Sequence, residues 1–136
     1  KDNKKYDLST IEVDSNGISY TYNTLCKLKK IYKKCNLYFI LGTDSFLNVE
    51  SWYKGPLLLE NFSFIVARRP GYKIEETQQT ISYFKNKYNT EIIRMTNELN
   101  NISSTDIKMK LEKHRSINGL VPPKIERYII ENGLYK

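Results

Sequence analysis

The segment LYFILG at residues 37–42 is a continuous apolar run that ends in a glycine. Strands of parallel sheets are covered on both faces, so their sequences are apolar without alternation. FSFIVARRPG at 62–71 repeats the pattern, with a strand of about five or six residues before a charged Pro-Gly turn. TEIIRM at 90–95 is a weaker third copy. These three segments predict the strands of a parallel sheet whose strands are buried on both faces.

Helices are predicted around these strands. TLCKLKKIYKKC at 24–35 places apolar residues at positions 25, 28, 32 and 35, which form one stripe of a helix with lysines on the remaining surface. SFLNVESWYKGPLLLE at 45–60 reads as helical with a break near Gly55-Pro56, and a polar helix extends from about Ile74 to Lys87. Alternating strands and helices are typical of an α/β fold with helices flanking a parallel sheet.

Two further helices are predicted after the sheet. One begins at Ser103 or Ser104 and ends near His114, a lone histidine that is expected on the surface. The other begins within PPKIERYIIENG at 122–133, with proline in its first turn and a glycine at its C-terminal end. No repeat or shift in composition divides the sequence, so residues 1–136 are interpreted as a single domain.

The charge and the cysteines restrict the partners and the compartment. The 136 residues carry 22 Lys+Arg against 15 Asp+Glu, a formal net charge of +7 that favours anionic partners such as nucleotides or nucleic acid. The lysines at 27–34 lie on a predicted helix face and are best interpreted as a solvated surface. Cys26 and Cys35 would lie about 13.5 Å apart on one helix, too far for a disulfide, so a reducing cytoplasm is expected. No apolar run reaches the roughly 18 residues of a membrane helix.

Ligands of open parallel sheets bind beyond the carboxyl ends of the strands. Three polar loops follow the predicted strands there: GTDS at 42–45, RRPGY at 68–72 and TNELNNISST at 96–105. Arg68 and Arg69 in the second loop are candidates for binding an anion. No spacing of histidine, cysteine or carboxylate residues indicates a metal site.

The third loop allows two interpretations of its serines. Ser103 or Ser104 is an ordinary helix N-cap, with Asp106 favourably placed in the first turn. The same helix N-terminus, with exposed amides, hydroxyls and the nearby charge of Lys108, is also a phosphate site. The two interpretations are compatible. Likewise Trp52 in SWYKG either packs in the core or stacks on a heteroaromatic ring.

Six segments together resemble the bacterial nicotinate-nucleotide adenylyltransferase family, in the family's order and at its approximate spacing. They are SYTYNTL (19–25), YFILGTDSF (38–46), WYK (52–54), FIVARRPGY (64–72), ISSTDIK (102–108) and LVPPKIERYIIENGLY (120–135). The resemblance implies the C-terminal part of a Rossmann-like nucleotidyltransferase fold. It also implies adenylyl transfer from ATP, accompanied by Mg²⁺, to nicotinate mononucleotide, giving deamido-NAD and pyrophosphate.

The family pattern assigns the nicotinate nucleotide to five positions. Trp52 would stack on the pyridine ring, while backbone amides near Thr21 and Tyr53 would hold its carboxylate. Gly42 and Asp44 would lie beside the ribose and the phosphate groups. A homo-oligomer is compatible with the family, but the sequence does not define the oligomeric state.

ATP is assigned by the same resemblance to the start of the helix after the sheet. Ile102, Ser103 and Ser104 would meet adenine and the phosphates, with Lys108 adding positive charge. The family usually has arginine at the position of Lys108, so a point charge replaces a forked donor.

A second departure concerns catalysis. The family's N-terminal strand, with its Gly-Gly-x-Phe-Asp-Pro and His-x-Gly-His loop, is absent from these 136 residues. In the family those histidines stabilise the transferring phosphate, so little turnover is expected from this chain alone, and apolar sheet edge is expected to be exposed.

Two alternative functions stay open on the sequence. Pantetheine-phosphate adenylyltransferases share an Ile-Ser-Ser helix start, although WYK and RRPGY argue against that assignment. A non-catalytic basic domain that binds nucleic acid through the lysines at 27–34 is the alternative from a different class.

Overall fold

A computed structural model of the chain describes residues 4–68, 71–96 and 102–135. The chain divides into two compact units, Lys1–Leu99 and Asn100–Lys136. The first unit holds the sheet with its helices, and the second holds the two last helices. The interpretation of the sequence as one domain stays a prediction.

The first unit is built on a parallel sheet of three strands in the order β1-β2-β3. The strands are β1 Tyr38–Gly42, β2 Ser63–Ala67 and β3 Ile92–Arg94. Each lies within one of the three apolar segments, so the predicted parallel α/β architecture is confirmed. Register pairs Ile40 with Ile65 and Ile65 with Ile93, so these three isoleucines form a row on one face.

Four α-helices and one short 3₁₀ turn accompany the sheet in the described part of this unit. They are α1 Thr21–Ile31, α2 Thr43–Leu47, the 3₁₀ turn Val49–Ser51, α3 Gly55–Asn61 and α4 Ile74–Tyr88. The break predicted near Gly55-Pro56 is the start of α3, where proline occupies the first turn.

The first helix ends earlier than its apolar stripe predicted. Tyr32 is the C-cap of α1, with φ −101° and ψ 56°, so Cys35 lies beyond the helix rather than on it. Tyr32 and Cys35 are both exposed, so the stripe has no packing partner there. A short helix depends on such packing, because propensity alone does not sustain it.

The core lies on one face of the sheet. Phe64 and Val66 of β2 are fully buried among helical side chains such as Phe46 and Leu58. Each buried aliphatic or aromatic side chain contributes about 1.5–3 kcal/mol, so this cluster dominates the stability of the unit.

The opposite face of the sheet is open. Ile40 is 62% exposed and Ile93 is 45% exposed. The prediction that the strands are covered on both faces is therefore wrong for this face, among the residues that the structure describes. The reason is that the helices contributing to the core pack on the other side, against the buried residues of β1, β2 and β3.

A carboxylate ties the 3₁₀ turn to the end of α4. Glu50 accepts hydrogen bonds from Lys87 Nζ at 2.8 Å, from the Tyr88 hydroxyl and from the Tyr83 hydroxyl at 3.4 Å. The hydrogen bond from Lys87, followed by that from Tyr88, holds the pKa of the Glu50 carboxyl below its ordinary value. The same contact raises the pKa of the Lys87 ammonium.

We expect Glu50→Gln to lower the stability of the first unit at neutral pH. A carboxyl whose pKa is lowered by folding adds stability above its unfolded pKa, and loses it as pH falls through the folded pKa. The wild type should therefore lose its advantage over Glu50→Gln in acid. Urea midpoints at pH 7 and pH 3 measure this, with exposed Glu60→Gln as the control. Equal behaviour of the two variants would contradict the expectation.

The second unit contains α5 Ser104–Glu112 and α6 Pro123–Glu131. Both were predicted, and Pro123 at the start of α6 and Gly133 beyond its end occupy the expected positions. Ile117 and Ile129 are its buried apolar side chains, at 1% and 6% exposure. His114 follows α5 with a φ of 51° and is exposed, as expected. Throughout the described ranges, no helix has the length and apolar character needed to cross a bilayer.

Candidate functional site

The carboxyl end of β1 leads directly into α2. Gly42 is the last residue of the strand and the N-cap of the helix, and Asp44 lies in the first turn with its Oδ1 atom buried. The Thr43 side chain is 2% exposed, and its hydroxyl donates to the Ala67 carbonyl of β2 at 3.2 Å. The structure thus places Gly42 and Asp44 where ligands of parallel sheets bind, while their contacts with ribose and phosphate stay a prediction.

A second group of residues, from distant parts of the sequence, lines a pocket that we call the aromatic cavity. It has a volume of about 240 Å³ and is lined by Ser19, Tyr20, Thr21, Trp52 and Tyr53. The start of α1 and the turn before α3 therefore meet. Thr21, Trp52 and Tyr53, the three positions assigned to nicotinate by resemblance, all line this cavity.

Stacked rings form one wall of the aromatic cavity. The Tyr20 and Tyr53 rings are stacked, with centroids 4.2 Å apart and an interplanar angle of 30°. Tyr20 belongs to the motif SYTYNTL, but the sequence alone assigns no role to this ring. Tyr20 and Tyr53 lie far apart in the sequence, so their pairing depends on the tertiary fold.

Trp52 has one side in the core and one side in the cavity. It packs edge-to-face on Phe39 with centroids 6.3 Å apart, and it adjoins the core cluster. Its neighbour Tyr53 is 46% exposed. Of these two adjacent aromatic residues, only Trp52 therefore packs against the core cluster. Packing is thus observed for Trp52, which also lines the cavity, whereas its stacking on a heteroaromatic ring stays a prediction.

The turn that carries Trp52 and Tyr53 is held by close backbone contacts. Lys54 adopts a left-handed conformation with φ 55°, and its Nζ lies 5.3 Å from the centroid of the Tyr53 ring. A Cβ on Gly55 would lie 2.3 Å from the Val49 carbonyl oxygen, closer than any stable contact. Glycine at position 55 is thus the condition for this turn, and for the position of both aromatic side chains.

A third group surrounds a smaller pocket, the arginine cavity, at the carboxyl ends of β2 and β3. Its lining consists of Thr43, Val66, Arg68, Tyr72, Ile74, Thr77 and Arg94. Arg68 was a predicted anion-binding residue, whereas Arg69 lies outside the described residues. Arg94 was missed, although it ends the third strand at the same edge of the sheet as Arg68. Ligands of parallel sheets bind at the carboxyl ends of the strands, and this rule could have identified Arg94 from the sequence.

The residues assigned to ATP surround the start of α5 in the second unit. The Ser103 hydroxyl accepts from the Asp106 amide at 3.0 Å and donates to the Asp106 carboxylate at 2.6 Å. The N-cap interpretation is therefore confirmed. Ile102, Ser103 and Ser104 are exposed, and Lys108 Nζ lies 5.2 Å from the Tyr135 ring centroid. Whether these groups bind phosphate stays a prediction.

The donor set does not favour a protein-held metal. No group of three histidine, cysteine or carboxylate residues converges anywhere in the described ranges. Mg²⁺ ordinarily binds through one or two carboxylates together with substrate phosphates. The binding of a divalent cation together with ATP stays a prediction.

Comparison with known proteins identifies relatives. Residues 3–110 match the model of the cytidylyltransferase-like family. A probable nicotinate-nucleotide adenylyltransferase of Thermoanaerobacter sp. (strain X514) is 37% identical over 135 residues, covering 98% of this chain and 64% of the relative. One of the same description from Fusobacterium nucleatum is 42% identical over 130 residues, covering 95% and 65%. The chain thus spans just under two thirds of the length of these two relatives.

Solved structures show the same architecture. The complex of Plasmodium falciparum nicotinic acid mononucleotide adenylyltransferase with NaAD has a TM-score of 0.67 and 27% identity to this chain. The match covers 88% of this chain and 58% of the solved one. The Rossmann-like nucleotidyltransferase fold implied by the sequence motifs is therefore confirmed.

Proposed function

Because the chain belongs to the cytidylyltransferase-like family, we propose that it serves adenylyl transfer from ATP to nicotinate mononucleotide, producing deamido-NAD and pyrophosphate. The relatives named as nicotinate-nucleotide adenylyltransferases support this substrate pair. The single observation that carries the proposal is the aromatic cavity, where Thr21, Trp52 and Tyr53 meet.

The aromatic cavity suits a pyridine ring that bears a carboxylate. The exposed side of Trp52 offers a face for stacking, and the Tyr20–Tyr53 pair gives a second aromatic wall. The Lys54 ammonium, over the Tyr53 ring, adds positive charge beside the cavity. Backbone amides near Thr21 and Tyr53 would orient the carboxylate, which an amide-bearing nucleotide lacks.

The chemistry proposed is a direct displacement. A phosphate oxygen of the mononucleotide attacks the α-phosphorus of ATP, and pyrophosphate leaves, so no enzyme nucleophile is needed. Such reactions depend on positioning and charge neutralisation. In this proposal Gly42 and Asp44 position the mononucleotide, while the amides and hydroxyls at Ser103 and Ser104, with Lys108, bind the triphosphate. A divalent cation bound to ATP would supply further neutralisation.

The proposal is tested by pyrophosphate release from ATP and nicotinate mononucleotide. We expect the full product of the gene to release pyrophosphate only when the mononucleotide is present. We expect little turnover from the 136 residues alone, because they contain one histidine and no His-x-Gly-His loop. Full activity of the purified 136-residue chain would disprove the role given to that loop.

A melting experiment separates the proposal from its nearest alternative. We expect nicotinate mononucleotide to raise the melting temperature more than either nicotinamide mononucleotide or phosphopantetheine, because ligand bound to the folded state stabilises it. Protection by phosphopantetheine alone would instead favour a pantetheine-phosphate adenylyltransferase.

Nucleic-acid binding receives no support from the basic run at 27–34. Lys27 Nζ donates to the Ser15 hydroxyl at 2.7 Å, and Lys29 Nζ lies 5.3 Å from the centroid of the Phe62 ring. Lys27 and Lys29 thus lie against neighbouring side chains of the first unit, as long side chains on a helix face do, whereas Lys33 and Lys34 follow the end of α1. The free thiols of Cys26 and Cys35 support the proposal of a cytoplasmic location.

A further inference from the structure

The arginine cavity lies within the first unit, and its lining includes none of the residues assigned to nicotinate or to ATP. It shares no lining residue with the aromatic cavity. Arg68 follows β2 and Arg94 ends β3, while Tyr72 and Thr77 come from the segment before α4 and from α4 itself. With Thr43 at the start of α2, several separate parts of the first unit therefore line this cavity at the carboxyl edge of the sheet.

The charge at this point is uncompensated within the described ranges. Arg68 and Arg94 each carry a guanidinium group, so the cavity has two positive charges in its wall. No carboxylate is among its lining residues, and no described residue forms an ion pair or a hydrogen bond with either guanidinium. Two like charges beside one cavity repel each other, and an anion between them removes that cost.

The hydrogen-bonding groups point to the same class of ligand. The Thr43 hydroxyl donates to the Ala67 carbonyl and the Thr77 hydroxyl donates to the Lys73 carbonyl, at 3.2 Å each. Both threonine protons are thus committed within the protein. The groups that remain as donors are the two guanidinium forks and the Tyr72 hydroxyl, a set that matches a tetrahedral oxyanion.

The size of the cavity limits how much of a ligand it receives. Its enclosed space is only about 10 Å³, with Val66 and Ile74 in its lining. A single phosphate group at the mouth, where both arginines line the cavity, is compatible with this small size.

We infer that Arg68, Arg94 and Tyr72 form a subsite for a phosphate-type oxyanion at the carboxyl ends of β2 and β3. The oxyanion chemistry stands on the cavity alone. The source of the phosphate rests on the proposed function, and three sources share this chemistry: pyrophosphate, the phosphates of ATP and the phosphate of nicotinate mononucleotide.

The test measures dissociation constants by calorimetry, with the full product of the gene. Inorganic pyrophosphate is the first probe. We expect Arg94→Gln to weaken its binding about fivefold and the Arg68→Gln/Arg94→Gln double variant about twentyfold, because each charged hydrogen bond contributes to anion affinity. Arg127→Gln, which removes an exposed arginine in α6, is the matched control and should leave binding unchanged.

Conservative variants distinguish the loss of an anion contact from a folding defect. Arg94→Lys keeps the charge and loses the fork, so it should bind pyrophosphate with an affinity between those of wild type and Arg94→Gln. Tyr72→Phe should weaken binding by about twofold, since it removes one neutral donor. Unchanged binding of pyrophosphate, ATP and mononucleotide in folded Arg94→Gln and in the double variant would overturn the inference.

Separate titrations with ATP and with nicotinate mononucleotide identify the source. Losses for pyrophosphate and ATP assign the subsite to the leaving group, while a loss for the mononucleotide alone assigns it to the attacking phosphate. The inference and the proposed function can fail independently. If wild type shows no mononucleotide-dependent turnover, yet Arg94→Gln still loses pyrophosphate affinity, the function fails and the subsite stands.

Discussion

Gly55→Ala is expected to destabilise the first unit by about 3 kcal/mol or more, a large share of a typical total of about 5–15 kcal/mol. A Cβ at this position would lie 2.3 Å from the Val49 carbonyl oxygen and 2.4 Å from that of Glu50. Both obstacles are backbone atoms, so no rotamer change relieves the overlap. The 3₁₀ turn would have to move away from α3, which disturbs the fully buried Val49 and Leu58.

Urea unfolding followed by circular dichroism measures this loss. The matched control is Gly17→Ala, whose Cβ would meet nothing within 4 Å but whose φ is +93°. That change should cost only about 1 kcal/mol, from backbone strain without overlap. Equal unfolding midpoints for the two variants would show that the close approach of Gly55 to the turn is not what limits stability.

Trp52→Ala is expected to weaken binding of nicotinate mononucleotide about thirtyfold. Stacking of a heteroaromatic ring on an aromatic side chain contributes about 1–3 kcal/mol, and the middle of that range corresponds to this ratio. Trp52→Phe keeps a stacking surface and should lose only severalfold. Affinity is measured by calorimetry with the mononucleotide, in parallel with ATP.

The ATP titration is the internal control for this prediction. Trp52 also packs on Phe39, with centroids 6.3 Å apart, so its removal affects stability as well as binding. A local role in ring stacking predicts unchanged ATP affinity, whereas general damage to the fold weakens both ligands equally. Tyr32→Ala removes another exposed aromatic, one that follows α1 and lies outside the lining of the aromatic cavity, and should leave both affinities unchanged.

Much of the fold could be predicted because its strongest patterns are local. The three apolar segments became strands, and the serine ahead of α5 became its N-cap, since short apolar runs and capping side chains act within a few residues. The end of α1 was mispredicted for the complementary reason. Tyr32 and Cys35 continue an apolar stripe but are both exposed, and a pattern does not reveal which of its residues become buried.

The candidate site was predictable only in part. The aromatic cavity unites Thr21, Trp52 and Tyr53, which family motifs had grouped but which composition and spacing alone would have left apart. Tyr20 and Arg94 were not predicted, because their relevance depends on neighbours that only the tertiary fold supplies. Tyr20 stacks on the ring of Tyr53, and Arg94 lines a cavity with Arg68, which follows β2.

The isoleucine row across the strands is expected to make the behaviour of the purified chain depend on its concentration. Ile40 and Ile93 are 62% and 45% exposed, so they form an apolar surface through which molecules of the chain could associate. Any self-association through it would be favoured by mass action, so the apparent melting point would rise on concentrating the sample and fall on dilution. Melting temperatures of variants must therefore be compared at identical chain concentrations. A dilution series separates the stability of the folded chain from the contribution of self-association.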